Sequence, residues 1–140
     1  MTSEQTQPRR SFTFTLDARS GVPVYRQIID QVLVAVASGT LVAGDQLPTV
    51  RQVAVDLAIN PNTAGKAYRE LEIRAVLETQ QGTGTFISSR KVKLDEAERQ
   101  RQLTQLTGEF VARAGGAGFT ARELAACLSE YLDEHENRRK

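Results

Sequence analysis

Leu47-Pro48-Thr49-Val50-Arg51-Gln52, followed by Asn60-Pro61-Asn62-Thr63, is the stretch on which the reading of this chain turns. Thr49 with Gln52 three residues later has the spacing of a capping box, in which hydroxyl and amide satisfy the free N–H groups of a first helical turn. A helix is therefore predicted from Val50, and Val50, Val53, Ala54 and Leu57 give it one apolar side. Asn60 is an N-cap residue, and Pro61, with its φ already fixed and no N–H to satisfy, suits the first position of a second helix. That helix places Ala64, Ala67, Tyr68 and Leu71 on one side and Asn62, Thr63, Lys66 and Arg69 on the other. Two short helices so closely joined predict a helix-turn-helix.

Working outward, Tyr25, Ile28, Ile29, Val32, Leu33 and Val36 form the apolar stripe of an earlier amphipathic helix, and Gly39 suits its C-terminal end. Before it, Phe12, Phe14 and Leu16 alternate with Thr13 and Thr15, which predicts a short strand. Downstream, Leu77 to Gln80, the turn Gln81-Gly82-Thr83-Gly84, and Thr85-Phe86-Ile87 read as strand, turn and strand. A β-hairpin directly after a helix-turn-helix is a wing. Beyond Lys91 the pattern changes. Leu103, Leu106, Phe110, Val111 and Ala114 mark a helix expected to end at Gly115-Gly116. Thr120 with Glu123 is a second capping box, Phe119 with Leu124 has the spacing of a hydrophobic staple, and Leu124, Cys127, Leu128, Tyr131 and Leu132 stripe the helix they begin. The expected fold is mainly α with a small β-hairpin wing: a disordered tail over 1–10, a winged helix-turn-helix domain over 11–89 and a helical hairpin over 90–140.

Composition narrows the function mainly by exclusion. The chain has 140 residues, enough for one ordinary domain or a small domain with an accessory element. No apolar run is long enough for a membrane span, the first ten residues lack the apolar segment of a secretory signal, and a lone cysteine, Cys127, agrees with a reducing cytoplasm. The net charge of +1 is short of the basic excess of many nucleic-acid binders, so a case for DNA must rest on where particular charges sit. His135 is the only histidine, which leaves no metal cluster of Cys and His, and no cofactor motif is present. Gly82-Thr83-Gly84 lacks the lysine and helix of a phosphate-binding loop. Nothing in the chain supports an enzyme.

Arg51 breaks a local rule, because a cation in the first turn of a helix opposes the helix dipole. A phosphate placed there reverses the sign, being gripped by both the N–H groups and the guanidinium. The competing reading is an arginine stem lying on apolar surface with its head in water. Asn62, Thr63 and Lys66 occupy the end of the second helix that, in a helix-turn-helix, meets base edges in the major groove. Short polar residues also serve simply as caps there. Gly65 costs that helix about 1 kcal/mol relative to alanine; close approach to DNA or to the preceding helix is one reason for it, and tolerated drift is another.

The run over residues 22–89 resembles the winged helix-turn-helix domain of the GntR family. The resemblance is carried by Val24-Tyr25-Arg26-Gln27-Ile28, Gly39-Thr40-Leu41, Gly44 to Arg51, Asn60-Pro61-Asn62-Thr63, Lys66 to Leu71 and Gly82 to Ile87. The Asn-Pro-Asn-Thr and Lys-Ala-Tyr elements, with a short C-terminal region, look like the YtrA subfamily. The resemblance implies DNA contacts at Arg51, Asn62, Thr63, Lys66 and Gly82, to which Arg69 and Thr83 are added from the same face and the same wing. It also implies a dimeric repressor acting on an inverted-repeat operator, with transporter operons as the regulated genes. Ala58 and Ala75 depart from the pattern, standing where the family usually has glycine.

The C-terminal stripes need a surface to cover them, because isolated amphipathic helices are marginal in water. A second copy of the hairpin is expected to supply it through Leu103, Leu106, Phe110, Leu124, Leu128 and Tyr131, although packing on the chain's own winged domain would also do so. So short a region leaves no room for a drug-sized effector pocket. Two other functions compete with operator binding. A winged-helix module that binds protein is favoured by the near-neutral charge but not by the polar face with Arg51, Lys66 and Arg69. Double-stranded RNA is disfavoured by its narrow major groove.

Overall fold

The computed structural model describes residues 12–89 and 95–139, with side chains through Glu134. The tail expected over 1–10 and the side chain of His135 lie outside the described residues. The chain divides into two compact units, 1–90 and 91–140.

In the first unit, α1 (Val24–Ala37), α2 (Val50–Leu57) and α3 (Pro61–Ile73) pack around one core. Ile28, Val32, Val53 and Leu71 are fully buried at its centre, joined by Ala64, Ala67 and Tyr68 from α3. Thr49 caps α2, its hydroxyl accepting from the Gln52 N–H at 3.0 Å. The capping box is only half made, because the Gln52 amide donates to Asp56 instead of reaching back. Asn60 caps α3 by accepting from the Asn62 N–H at 2.8 Å, and Pro61 occupies the first turn as expected.

The wing is larger than a hairpin. β2 (Leu77–Gln80) and β3 (Gly84–Ile87) pair antiparallel, and β1 (Gln46–Leu47) joins the far side of β3, giving the order β1-β3-β2. Gln46 faces Phe86, and Leu47, buried, faces Thr85. Two residues are too few to show any periodicity, which is why β1 is invisible in the sequence.

The strand expected at Phe12–Leu16 does not form. The alternation does put Phe14 into the core, edge-on to Phe12 with ring centroids 4.9 Å apart. At Thr15 the backbone bonds go to a side chain of α1 in place of a neighbouring strand. The Gln31 amide accepts from the Thr15 N–H at 2.9 Å and donates to the Thr15 carbonyl at 2.7 Å. Gln27 does the same for Asp17, at 2.8 and 3.0 Å.

The second unit is a helical hairpin of α4 (Glu96–Gly116) and α5 (Ala121–Arg139). Acidic Glu96 and Glu98 in the first turn of α4 and Arg113 in the last complement the helix dipole. Hydrogen bonds from Arg101 and then Gln102 hold the Glu98 carboxyl below its ordinary range. α4 ends at Gly116, at the Gly115-Gly116 pair expected to close it, and the chain turns away through Gly118, whose φ is +91°. There the Phe119 N–H reaches the Ala114 carbonyl at 2.8 Å. The second capping box is complete: Thr120 N–H donates to Glu123 at 2.9 Å, and Glu123 N–H donates to the Thr120 hydroxyl at 3.1 Å. Among the described residues no helix is long and apolar enough to cross a membrane.

Candidate nucleic-acid interface

The helix-turn-helix is built around its three-residue turn. Ala58 adopts the left-handed conformation, φ 54° and ψ 47°, and the Ile59 N–H then bonds the Ala54 carbonyl at 3.0 Å, closing α2. α3 closes in the same manner, with Ala75 at φ 60° and the Val76 N–H on the Leu71 carbonyl at 2.9 Å. Gly118 performs this at the end of α4 without the Cβ clash that alanine brings. The two alanines thus keep the glycine conformation and carry its steric cost, and neither helix end is reshaped.

With Ala64, Ala67, Tyr68 and Leu71 buried, α3 presents Asn62, Lys66 and Arg69 to solvent. Thr63 is half-buried at the flank of that face. Arg51 is exposed in the first turn of α2, and neither α2 nor α3 has an acidic residue in its first turn. Two helix N-termini are thus free of local carboxylates that would repel an anion. Gly65 is not demanded by the packing of α2 on α3: a Cβ there would meet Val50 Cγ1 at 3.8 Å, an ordinary contact.

The wing turn carries Gly82 and Thr83, both exposed, with Gly82 at φ +78° and the Thr83 N–H bonded to the Gln80 carbonyl at 3.0 Å. Behind it, the Gln46 amide donates to the Thr83 carbonyl at 3.2 Å. Gly84 suits this point because its φ of +138° is one that residues with a Cβ rarely adopt.

Two participants escaped the sequence reading. Gln46 braces the wing from β1. Tyr25 of α1 lies under the Lys66 ammonium, which sits 4.0 Å from the ring centroid. Tyr25 had been read only as part of the apolar stripe, and no local pattern links it to a lysine on another helix. Among the described residues no group of His, Cys, Asp and Glu could hold a metal ion.

The turn between α2 and α3, the polar face of α3 and the wing that follows define a winged helix-turn-helix protein. Residues 24–87 match the model of the bacterial regulatory proteins of the gntR family. The HTH-type transcriptional repressor YtrA of Bacillus subtilis is 43% identical over 82% of this chain and 88% of its own length. The uncharacterized HTH-type transcriptional regulator YhcF of the same organism is 36% identical over 82% of this chain and 94% of its own. Among solved structures, a protein described as a transcriptional antiterminator from Listeria monocytogenes superposes with a TM-score of 0.68 at 30% identity, covering 89% of this chain and 93% of that one. The chain belongs to the GntR family and, matching YtrA over most of both chains, to its YtrA-like members. It is a transcriptional regulator with the DNA-binding domain of that family, not an enzyme.

Proposed function

We propose that this protein is a dimeric repressor that reads an inverted-repeat operator in the cytoplasm. The observation that carries the reading is the solvent face of α3, where Asn62, Lys66 and Arg69 stand clear of the core beside a first turn without acids. In this reading Arg51 and the start of α2 hold a backbone phosphate. Asn62, Thr63 and Lys66 meet base edges in the major groove, Arg69 lies along the same face, and Gly82 and Thr83 bring the wing to the duplex.

The second unit supports the dimer. Leu103, Leu106, Phe110 and Leu128 are all exposed by more than half, and Leu124 and Tyr131 are half-buried. Burying one large apolar side chain is worth about 1.5–3 kcal/mol, so a second copy covering this set offsets the entropy of association. Two-fold symmetry then matches two half-sites to two copies of α3. By the resemblance to the YtrA subfamily, the regulated genes form a transporter operon.

Footprinting of the full-length protein on DNA upstream of its own gene tests the reading. It predicts a protected inverted repeat whose two halves face one side of the duplex. Binding that competitor DNA of unrelated sequence removes equally well would overturn it.

A further inference from the structure

We propose that Tyr25 is a positioning residue for DNA recognition, its ring holding the Lys66 ammonium in place without cancelling its charge. The proposal rests on the reading of Lys66 as a DNA-contacting residue.

The distance of 4.0 Å from Nζ to the ring centroid is within the range of about 6 Å over which an aromatic face attracts a cation. The two partners differ in freedom. Tyr25 stands in the first turn of α1, half-buried and packed against the core, so the fold fixes its ring. Lys66 is exposed and hangs on a flexible stem. A lysine that samples many rotamers must be ordered when it meets DNA, at an entropic cost. A fixed ring narrows that sampling before DNA arrives.

The chemistry of the holder decides its use. A carboxylate would fix the ammonium equally well, but it would neutralise the charge and set a negative group before the phosphates. A neutral ring does neither. Two carboxylates, Asp30 and Glu70, line the same groove of about 300 Å³ between α1 and α3. Glu70 pairs with Arg74, the residue that caps α3, at 3.4 Å. Among the described residues no ion pair joins Lys66 to Asp30 or Glu70, and its ammonium lies over the ring, its charge intact on the polar side of α3.

Two substitutions separate ring from hydroxyl. Tyr25→Phe keeps the aromatic face, and Tyr25→Leu keeps apolar bulk without it. In the full-length protein, ring current should shift the Lys66 Hε protons upfield in the wild type and in Tyr25→Phe, but not in Tyr25→Leu. Operator affinity should fall about two- to fivefold in Tyr25→Leu, remain unchanged in Tyr25→Phe, and fall no further when Tyr25→Leu is added to Lys66→Ala. The assignment is overturned by an unshifted Hε signal in the wild type, by unchanged affinity in Tyr25→Leu, by an equal loss in Tyr25→Phe, or by a loss that persists on the Lys66→Ala background. Should Tyr25→Leu fail to fold, Tyr25→Met serves the same comparison. If Lys66→Ala itself leaves affinity unchanged while the upfield shift is present, the recognition-face reading has failed and the Tyr25–Lys66 contact has not.

Discussion

The Tyr68 hydroxyl donates a hydrogen bond to the carbonyl of Pro48, tying the middle of α3 to the residue before the cap of α2. One buried phenol thus sets the two helices whose outer faces carry Arg51 and Lys66. Burial pushes its pKa well above the ordinary tyrosine value. The folded state holds the phenolic proton more tightly than the unfolded chain, where tyrosine ionises near pH ~10. The associated stability is complete below that pH and is lost as pH rises toward the folded value. Tyr68→Phe should lower stability by about 1 kcal/mol at neutral pH, because the Pro48 carbonyl loses this donor. It should also flatten the fall in stability above pH ~10. Urea unfolding at several alkaline pH values measures both, and an undiminished alkaline slope in Tyr68→Phe would assign the titration to another group.

Ala58→Gly and Ala75→Gly should each stabilise the protein, by up to about 1 kcal/mol, because the left-handed conformation penalises a Cβ and glycine's greater unfolded-state freedom offsets only part of the gain. The sites lie at the ends of different helices, so their effects should add. Thermal melts of the two single variants and the double variant give the answer. A decrease in either single variant would mean that the methyl group makes packing contacts worth more than the strain.

Gly65→Ala is expected to stabilise as well, for a different reason. The residue lies inside α3, where alanine gains about 1 kcal/mol in helix propensity, and the added Cβ meets Val50 at an ordinary 3.8 Å. Chemical denaturation would detect the change. Lower stability would show that α2 and α3 have no slack at this approach.

At the recognition face, Lys66→Ala should weaken operator binding by about 1–3 kcal/mol and relax discrimination at one base position. Arg51→Ala should weaken operator and unrelated DNA alike and reduce the dependence of affinity on salt. Titrations at several salt concentrations distinguish the two patterns. Unchanged affinity in both variants, with folding intact, would remove the assigned face from contention.

The hairpin prediction uses the full chain. Phe110→Glu or Leu128→Glu should leave helix content unchanged, since both side chains are exposed, yet should convert a dimer into a monomer by charging the proposed contact. Truncation after Ser89 should have the same effect on mass and leave a winged unit that binds one half-site poorly, lacking the second contact at high effective concentration. Sedimentation of the three proteins decides the matter, and a dimer surviving in the truncated form would place the contact in the winged unit.

The helix-turn-helix was legible because its signals are local. Thr49, Asn60 and Pro61 act on neighbouring N–H groups, and the apolar spacing of α3 already separated Asn62, Lys66 and Arg69 from the core. What escaped depends on residues far apart in the chain. Phe12 to Leu16 alternate as a strand would, but at Thr15 Gln31 of α1 takes the backbone bonds a neighbouring strand would have made. β1 exists only because β3 returns beside it. The Tyr25–Lys66 contact joins separate helices, and either residue alone reads as something ordinary. Gly115 and Gly116 were legible as the end of α4, because helix propensity disfavours glycine locally.

The strained alanines also bear on how this chain can change over generations. Alanine and glycine codons differ by one base, so relief at Ala58 or Ala75 is a single mutational step away. Neither position belongs to the core or to the face proposed to meet DNA, and the helix-end hydrogen bonds there are made by backbone atoms that glycine also has. Most substitutions that improve DNA reading or shift specificity would be expected to cost some stability. A lineage acquiring such changes on α3 could recover the loss at these two codons, outside the recognition surface, before any buried side chain had to change.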